Sequence, residues 1–116
     1  MFLHSLPRQV ALHAADVSNP AKPWAYYNAW TDRVLDEFFA QGDAERAAGL
    51  PIGMGFDRTK VTCDADKARG QLGFINFVVA PLYATLANIE QLNLANSATK
   101  CLEENKAAWQ AMVDAA

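Results

Sequence analysis

Apolar residues recur at spacings of three and four along most of this chain, and no stretch shows the sustained alternation of a half-buried strand. The clearest run puts five residues on one helical face: Trp24, Tyr27, Thr31, Val34 and Phe38. At 116 residues the chain is long enough for one domain with a real core. The pattern therefore predicts an all-α fold, a compact multi-helix array that forms a single domain over residues 1–116.

Glycine and proline residues divide this pattern into five predicted helices. Their expected limits are about 6–15, 23–42, 43–48, 64–88 and 97–113. Asn19 before Pro20 and a second proline at Pro23 should stop the first helix, because a residue before proline disfavours the helical conformation. Gly42 should close the second helix, and Pro81 should bend the fourth because it lacks a backbone donor.

Caps and core-facing residues follow from the same pattern. Asp43 and Asp64 are predicted to cap the third and fourth helices. A loop is expected over residues 49–55, where three glycines permit positive φ. The expected core-facing residues of the last two helices are Leu72, Ile75, Val79, Leu86, Leu102, Trp109 and Met112.

Charge and hydropathy argue against two classes of partner. Ten Lys and Arg against thirteen Asp and Glu give a net charge of −3, so the chain has no broad basic field for nucleic acid. The most apolar run, residues 72–87, is shorter than the roughly 20 residues of a membrane span. Residues 1–6 are too short for a secretory signal. We expect a cytoplasmic protein in which Cys63 and Cys101 are reduced thiols.

Few residues are candidates for catalysis or metal binding. The chain has two histidines, His4 and His13, whereas a metal site needs several converging ligands. His13 and Asp16 lie near the end of one predicted helix. There Asp16 is either a metal ligand or a turn residue, and His13 is either a ligand or a packed core residue. Neither Ser18 nor Cys63 has a histidine placed by the sequence to activate it, so nucleophilic catalysis is rejected.

An amide close to an aromatic residue indicates a possible ligand slot. Gln71 precedes Phe74 by one helical turn, and an amide at the mouth of an aromatic slot can recognise the edge of a purine. An aromatic stripe earlier in the chain either lines such a slot or belongs to the core: Trp24, Tyr27, Trp30, Phe38 and Phe39. The glycine-rich loop lacks the Lys and Ser/Thr of a P-loop and follows no strand, which argues against a phosphate site there.

Four segments follow one another along the chain: His13-Ala-Ala-Asp16-Val-Ser-Asn-Pro20, Tyr27-Asn-Ala-Trp30-Thr-Asp-Arg33, Glu37-Phe-Phe-Ala-Gln-Gly-Asp43-Ala-Glu45 and Gln71-Leu-Gly-Phe74-Ile. In this order they resemble the class I 3′,5′-cyclic nucleotide phosphodiesterases. The resemblance runs nearly end to end and covers about the last third of that family's catalytic domain. It implies the C-terminal part of the helical phosphodiesterase fold, and hydrolysis of cAMP or cGMP as the activity of the complete domain.

The resemblance also implies roles for individual residues. Asp16 is similar to a ligand of the tightly held zinc in a two-metal site of zinc and magnesium, which activates a bridging hydroxide. Asn19 and Gln71 match residues that read the purine, and Phe74 and Val34 match those that sandwich its ring. Further lining residues are Tyr27, Thr31, Phe38 and Met54. The choice between cAMP and cGMP stays open.

Departures from the family's pattern limit these expectations. The 116 residues contain neither the His-Asn-x-x-His segment, nor the His-Asp metal pair, nor the general-acid histidine of the family. The resemblance therefore implies a chain with no catalytic residue, which does not hold the metals stably and is inactive alone. The loop between Met54 and Gln71 is also longer than in familiar members, and Gly53 replaces a usual proline.

A second hypothesis is a catalytically dead, phosphodiesterase-derived structural subunit of a larger complex. Under both hypotheses the first and fourth helices should be covered by other protein, either partner chains or the rest of the catalytic domain. Their apolar faces are too broad for one partner helix, and an uncovered apolar face promotes aggregation. The residues expected on these faces are Val10, Leu12, Ile75, Phe77 and Val78.

Overall fold

The computed structural model describes residues 6–116, and within that range it contains helices and turns but no strand. The all-α prediction is confirmed. The α-helices are α1 (Leu6–Asp16), α2 (Trp24–Ala47), α3 (Asp64–Phe74), α4 (Ala80–Leu86) and α5 (Ala98–Asp114). A π-helical segment, Ile75–Val79, joins α3 to α4. His4 and the apolar start of the chain lie outside the described residues.

The first helix ends where the proline pattern predicts. α1 stops at Asp16, and a 3₁₀ turn, Asn19–Ala21, follows it. α2 then begins at Trp24, directly after Pro23. Pro23 has φ −53° and ψ 142°, so it leaves the turn in an extended conformation before the helix starts.

The predicted helix end at Gly42 is wrong, and so is the separate short helix with Asp43 as its cap. α2 continues through both residues to Ala47. Gly42 is buried, and a Cβ atom on it would lie 1.9 Å from the carbonyl oxygen of Phe56. Glycine at this position therefore permits the close approach of a second chain segment and does not end the helix.

The glycine-containing loop after α2 is confirmed. Gly49 and Gly55 take left-handed conformations, with φ of 69° and 85°. Gly53 does not share this conformation, so positive φ is needed at two of the three glycines. A 3₁₀ turn, Arg58–Lys60, lies between this loop and α3, in a stretch with no predicted element.

α3 and α4 correspond to the predicted fourth helix, with differences at its ends and in its middle. Asp64 is the first residue of α3 and not its cap. The Asp66 carboxylate instead accepts hydrogen bonds from the backbone N–H and the hydroxyl of Thr62, each 3.0 Å long. The α-helical pattern is interrupted by the π-helical segment, and Pro81 follows in the first turn of α4. α4 ends at Leu86, two residues earlier than predicted.

The core is formed where α3 packs against α5 and α4 packs against α1. Six predicted core residues are buried: Leu72, Ile75, Val79, Leu86, Leu102 and Trp109. Met112 is 37% exposed, so its predicted core position is wrong. In the α2 stripe Tyr27 and Thr31 are buried, whereas Val34 and Phe38 are each 37% exposed.

Two long-range contacts connect α5 to the start of α2. Trp109 packs edge-to-face on Tyr27, with ring centroids 5.9 Å apart. The buried Asn105 donates from Nδ2 to the carbonyl oxygens of Pro20 and Lys22, at 2.8 and 2.7 Å. These contacts hold the turn between α1 and α2 in place.

Part of the outward apolar surface expected on the first and fourth helices is present. Leu12 is 74% exposed and Phe77 is 86% exposed, while Val78 lies at the margin with 36%. Val10 packs against the core, and Ile75 is fully buried. The expectation that Ile75 belongs to the outward face is therefore wrong.

Over residues 6–116, no single helix is long and apolar enough to cross a membrane. The segments Asp64–Leu86 and Glu90–Asp114 reach that length and composition only as a pair, with a bend of 102° between them.

Candidate functional site

A cleft of about 350 Å³ opens between the end of α1, the middle of α2, the loop after α2 and the middle of α3. Eight of the nine residues predicted for the site line it: Asp16, Asn19, Thr31, Val34, Phe38, Met54, Gln71 and Phe74. The ninth, Tyr27, is buried and contacts Gln71 through its hydroxyl. The fold thus brings side chains from four separate segments into one concave surface.

Gln71 is held by a chain of hydrogen bonds that runs into the core. The Tyr27 hydroxyl donates to Gln71 Oε1 at 2.6 Å, and the Trp109 indole N–H donates to the Tyr27 oxygen at 2.9 Å. Because an indole N–H can only donate, Tyr27 accepts from Trp109 and gives its own proton to Gln71. The Gln71 amide therefore has a set orientation, in which Oε1 is engaged and Nε2 makes no hydrogen bond to another residue between 6 and 116.

Burial keeps Tyr27 in the protonated form. Desolvation raises the pKa of Tyr27 to about 12, although the hydrogen bond from Trp109 acts in the opposite direction. The phenol is consequently neutral at physiological pH. It remains a donor to Gln71 throughout the range in which the protein would function.

Asn19 and Thr31 form a second polar group at the cleft. Asn19 Nδ2 donates to Thr31 Oγ1 at 3.4 Å, and the Thr31 hydroxyl donates to the Tyr27 carbonyl oxygen at 2.8 Å. Asn19 Oδ1 is covered and has no hydrogen-bond partner in the described part of the chain. A buried acceptor without a hydrogen bond destabilises the folded state. A small rotation of the Asn19 amide toward a donor on a ligand would therefore be favourable.

Apolar side chains form two walls of the cleft. Val34 and Phe38 on α2 are each 37% exposed, and Phe74 on α3 is 38% exposed. Large apolar side chains around a concave surface with a few polar groups are typical of small-molecule pockets. Phe38 is supported from behind by Phe56, whose ring centroid lies 4.7 Å away at an interplanar angle of 34°.

The lining also contains residues that were not predicted: Val17, Pro20, Leu35, Gly55, Val61, Asp66, Lys67 and Gly70. Helical spacing contains a signal for two of them, because Leu35 follows Thr31 by one turn and Lys67 precedes Gln71 by one turn. Val61, like the supporting Phe56, reaches the site through an irregular loop. No periodic pattern identifies such residues.

Asp16 is the one residue for which the sequence predicts a metal contact. Asp16 is exposed at the C-terminal end of α1 and lines the cleft. Among residues 6–116 no three His, Cys, Asp or Glu side chains are grouped so that they could hold a metal ion. His13 is exposed, so its interpretation as a packed core histidine is wrong. One carboxylate does not fit a two-metal centre, and these residues alone do not form one.

Comparison with known proteins links this arrangement to one family. The family model described as 3′5′-cyclic nucleotide phosphodiesterase matches residues 3–101. The chain is 38% identical over 105 residues to the probable 3′,5′-cyclic-AMP phosphodiesterase pde-4 of Caenorhabditis elegans, a match covering 90% of this chain and 15% of that protein. It is 41% identical over 105 residues to the 3′,5′-cyclic-AMP phosphodiesterase 4C of Rattus norvegicus, covering 90% of this chain and 19% of that protein.

A solved structure has a similar fold. The structure of LmjPDEB1 in complex with IBMX matches with a TM-score of 0.78 and 32% identity, covering 89% of this chain and 30% of that chain. The present chain thus spans less than a third of the solved chain and less than a fifth of each curated relative.

Proposed function

The chain belongs to the 3′,5′-cyclic nucleotide phosphodiesterase family, and we propose that it forms the base-binding part of a catalytic domain that hydrolyses cAMP or cGMP to the 5′-monophosphate. The observation that carries this proposal is the cleft in which an oriented Gln71 amide lies among apolar side chains. The match to the family over residues 3–101 supports it independently.

In this proposal the purine ring stacks between Phe74 and Val34, since both line the cleft and both are partly exposed. Gln71 Nε2 donates to an acceptor on the base edge, while Asn19 Oδ1 accepts from a donor. Adenine offers both an amino donor and ring-nitrogen acceptors at that edge, whereas guanine has a carbonyl oxygen in place of the amino group. We therefore propose a preference for cAMP.

The family uses divalent metal ions, and we propose zinc and magnesium, with Asp16 as one carboxylate ligand. The described residues do not complete a metal site, so no catalytic residue is assigned to them. The isolated 116-residue polypeptide is expected to bind these metals weakly and to hydrolyse neither cyclic nucleotide.

Other protein is proposed to cover the outward faces of α1 and of the segment joining α3 to α4. Leu12 and Phe77 lie there with 74% and 86% exposure. Leaving such side chains in water forgoes about 25 cal/mol per Å² of apolar area. The rest of a catalytic domain would cover them, because the matched solved chain is much longer than this one. Partner chains would cover them instead if the protein is a structural subunit. A cytoplasmic location stays a prediction.

The test is steady-state hydrolysis of cAMP and cGMP by the full-length protein with zinc and magnesium. We expect turnover with a lower KM for cAMP. Asp16→Asn should reduce kcat by orders of magnitude, whereas Gln71→Ala should raise KM by about tenfold through the loss of hydrogen bonds worth about 1.4 kcal/mol. Glu103→Ala, an exposed change on α5, serves as the control. Absence of both turnover and nucleotide binding would contradict the proposal and favour the structural subunit.

A further inference from the structure

The tip of the loop after α2 is a tight turn that carries Met54 at the edge of the cleft. The Phe56 N–H donates to the Gly53 carbonyl oxygen at 3.0 Å, which closes a four-residue turn. Gly55 is its third residue and has φ of 85°, as a type II turn requires. The Met54 side chain is fully exposed although it lines the cleft. Its position relative to a ligand therefore depends on how the turn is attached to the rest of the fold.

Glu45 on α2 attaches the first residue of this turn. Its Oε2 accepts from the Gly53 N–H at 2.8 Å, and its Oε1 accepts from Gln41 Nε2 at 2.9 Å. Hydrogen bonds to a carboxylate are stronger than those between neutral groups. These two hydrogen bonds hold the pKa of Glu45 below its usual value, and the bond from Gln41 has the larger effect. A proline in place of Gly53 would provide no N–H for this contact.

Two glycines leave the space that Phe56, the last residue of the turn, occupies. A Cβ on Gly42 would lie 1.9 Å from the Phe56 carbonyl oxygen, and a Cβ on Gly53 would lie 2.8 Å from the Phe56 ring. The Phe56 ring then packs against Phe38, which lines the cleft. The turn is thus continuous with one apolar wall of the site.

Ion pairs farther along the loop contribute less to its position. Arg46 pairs with Asp57 at 2.7 Å, and Arg58 pairs with Asp43 at 2.6 Å. Both arginine side chains are close to half exposed, with 46% and 48% of their area accessible. Exposed ion pairs contribute little, because solvent and salt screen the charges. The bond from Glu45 is partly buried and contacts the turn itself.

We propose that Glu45 is a positioning residue for nucleotide binding, which fixes the Gly53–Phe56 turn so that Met54 and Phe38 stay at the cleft. The proposal rests on the function proposed above. Glu45 touches no substrate and acts only through the turn. Without the Glu45 carboxylate, the turn moves away from Gly42 and α2 for part of the time. Nucleotide binding then weakens in proportion to the fraction of molecules in which the turn keeps its position.

The experiment measures KM and kcat for cAMP hydrolysis in full-length variants. Loss of the Glu45–Gly53 hydrogen bond lowers the equilibrium constant for the correctly placed turn by about fivefold, so Glu45→Ala should raise KM by about threefold and by about fivefold at most. Its kcat should stay within about twofold, because the hydrolytic groups are not touched. Glu45→Gln retains one carbonyl acceptor and should restore KM to within about twofold of wild type.

A matched control and a double variant separate the positioning role from general destabilisation. Glu37→Ala removes an exposed carboxylate from the same helix and should leave KM unchanged. In a Met54→Ala background, Glu45→Ala should raise KM by a smaller factor than in the wild-type background, because one of the two positioned side chains is already absent. If Glu45→Ala does not fold, Glu45→Met in both backgrounds provides the same comparison, because methionine keeps the length of the side chain and favours the helix but has no strong acceptor.

Two results would overturn the proposal. One is an unchanged KM in Glu45→Ala while the wild type hydrolyses cAMP normally. The other is a fall in kcat equal to the fall in kcat/KM, which would show that Glu45 acts on the chemical step. A wild-type protein without turnover or nucleotide binding would instead refute the underlying function and, with it, this inference.

Discussion

Replacing Tyr27 by phenylalanine removes one oxygen atom from the middle of the hydrogen-bond chain between Trp109 and Gln71. The ring and its packing remain, but the Trp109 N–H loses its acceptor at 2.9 Å and Gln71 loses its donor at 2.6 Å. Trp109 is 1% exposed, so water does not replace the lost partner. A buried polar group left without a partner costs about 1–3 kcal/mol. We therefore expect Tyr27→Phe to lower the free energy of unfolding by about 2 kcal/mol.

Thermal unfolding of the full-length protein, followed by circular dichroism, measures this loss. In domains of about 150–250 residues 1 kcal/mol shifts Tm by about 2–4 °C, and larger domains shift less. The proposed catalytic domain is larger than this chain, so the expected decrease is about 4 °C or less but above that of the control. Tyr26→Phe is the matched control, because Tyr26 is 66% exposed on the same helix. Its Tm should change by less than about 1 °C. Equal Tm values for the two variants would refute the reasoning.

The same change should weaken discrimination between nucleotides. Without the Tyr27 hydroxyl, the Gln71 amide has no fixed orientation and can present either its nitrogen or its oxygen to the base. We expect the ratio of kcat/KM for cAMP to that for cGMP to fall by about fivefold, which corresponds to about 1 kcal/mol. An unchanged ratio would mean that Tyr27 does not control the amide.

Three further predictions concern stability. Burial raises the pKa of Tyr27 to about 12 from an ordinary value of about 10. The stabilisation linked to its proton is therefore complete below pH 10 and is lost as pH rises from 10 toward 12, an effect on the order of 2–3 kcal/mol. Urea unfolding across this range should show a steeper loss in wild type than in Tyr27→Phe. Asn105→Ala removes two hydrogen bonds to backbone carbonyls and should lower the free energy of unfolding by about 2–3 kcal/mol, measured by urea titration; no loss would contradict this. Gly42→Ala should lower Tm because its Cβ would meet the Phe56 backbone, whereas Gly73→Ala, with open space around its Cβ, should not.

Helical periodicity predicts the fold class and most of the core of this chain. The spacing of Leu72, Ile75, Val79 and Leu86 identifies the face of α3 and α4 that packs inward, because burial of one helical stripe follows from a 3.6-residue repeat. Proline positions are also reliable, since Pro23 fixes the start of α2 within one residue.

Gly42 shows why local signals are insufficient. Glycine is favoured both after a helix and wherever two backbones approach closely, and only the position of Phe56 distinguishes these cases. The π-helical segment Ile75–Val79 likewise has no local signal that distinguishes it from a continuous α-helix.

The sequence predicts which residues line the candidate site, but it does not predict the hydrogen bonds that hold them in place. The resemblance names nine residues, and eight of them line one cleft. The Trp109–Tyr27 hydrogen bond joins residues 82 positions apart, and the Glu45–Gly53 contact depends on an irregular loop. Neither contact has a periodic signature, because such pairs are determined by tertiary packing.

The most direct measurement is a crystal structure of the full-length protein with adenosine 5′-monophosphate, the product expected from cAMP. We predict the adenine ring between Phe74 and Val34, with Gln71 Nε2 and Asn19 Oδ1 each within about 3.2 Å of the base edge. Density for the base outside this cleft, or a Gln71 amide that does not contact the base, would contradict the assignment of the cleft as the base-binding site.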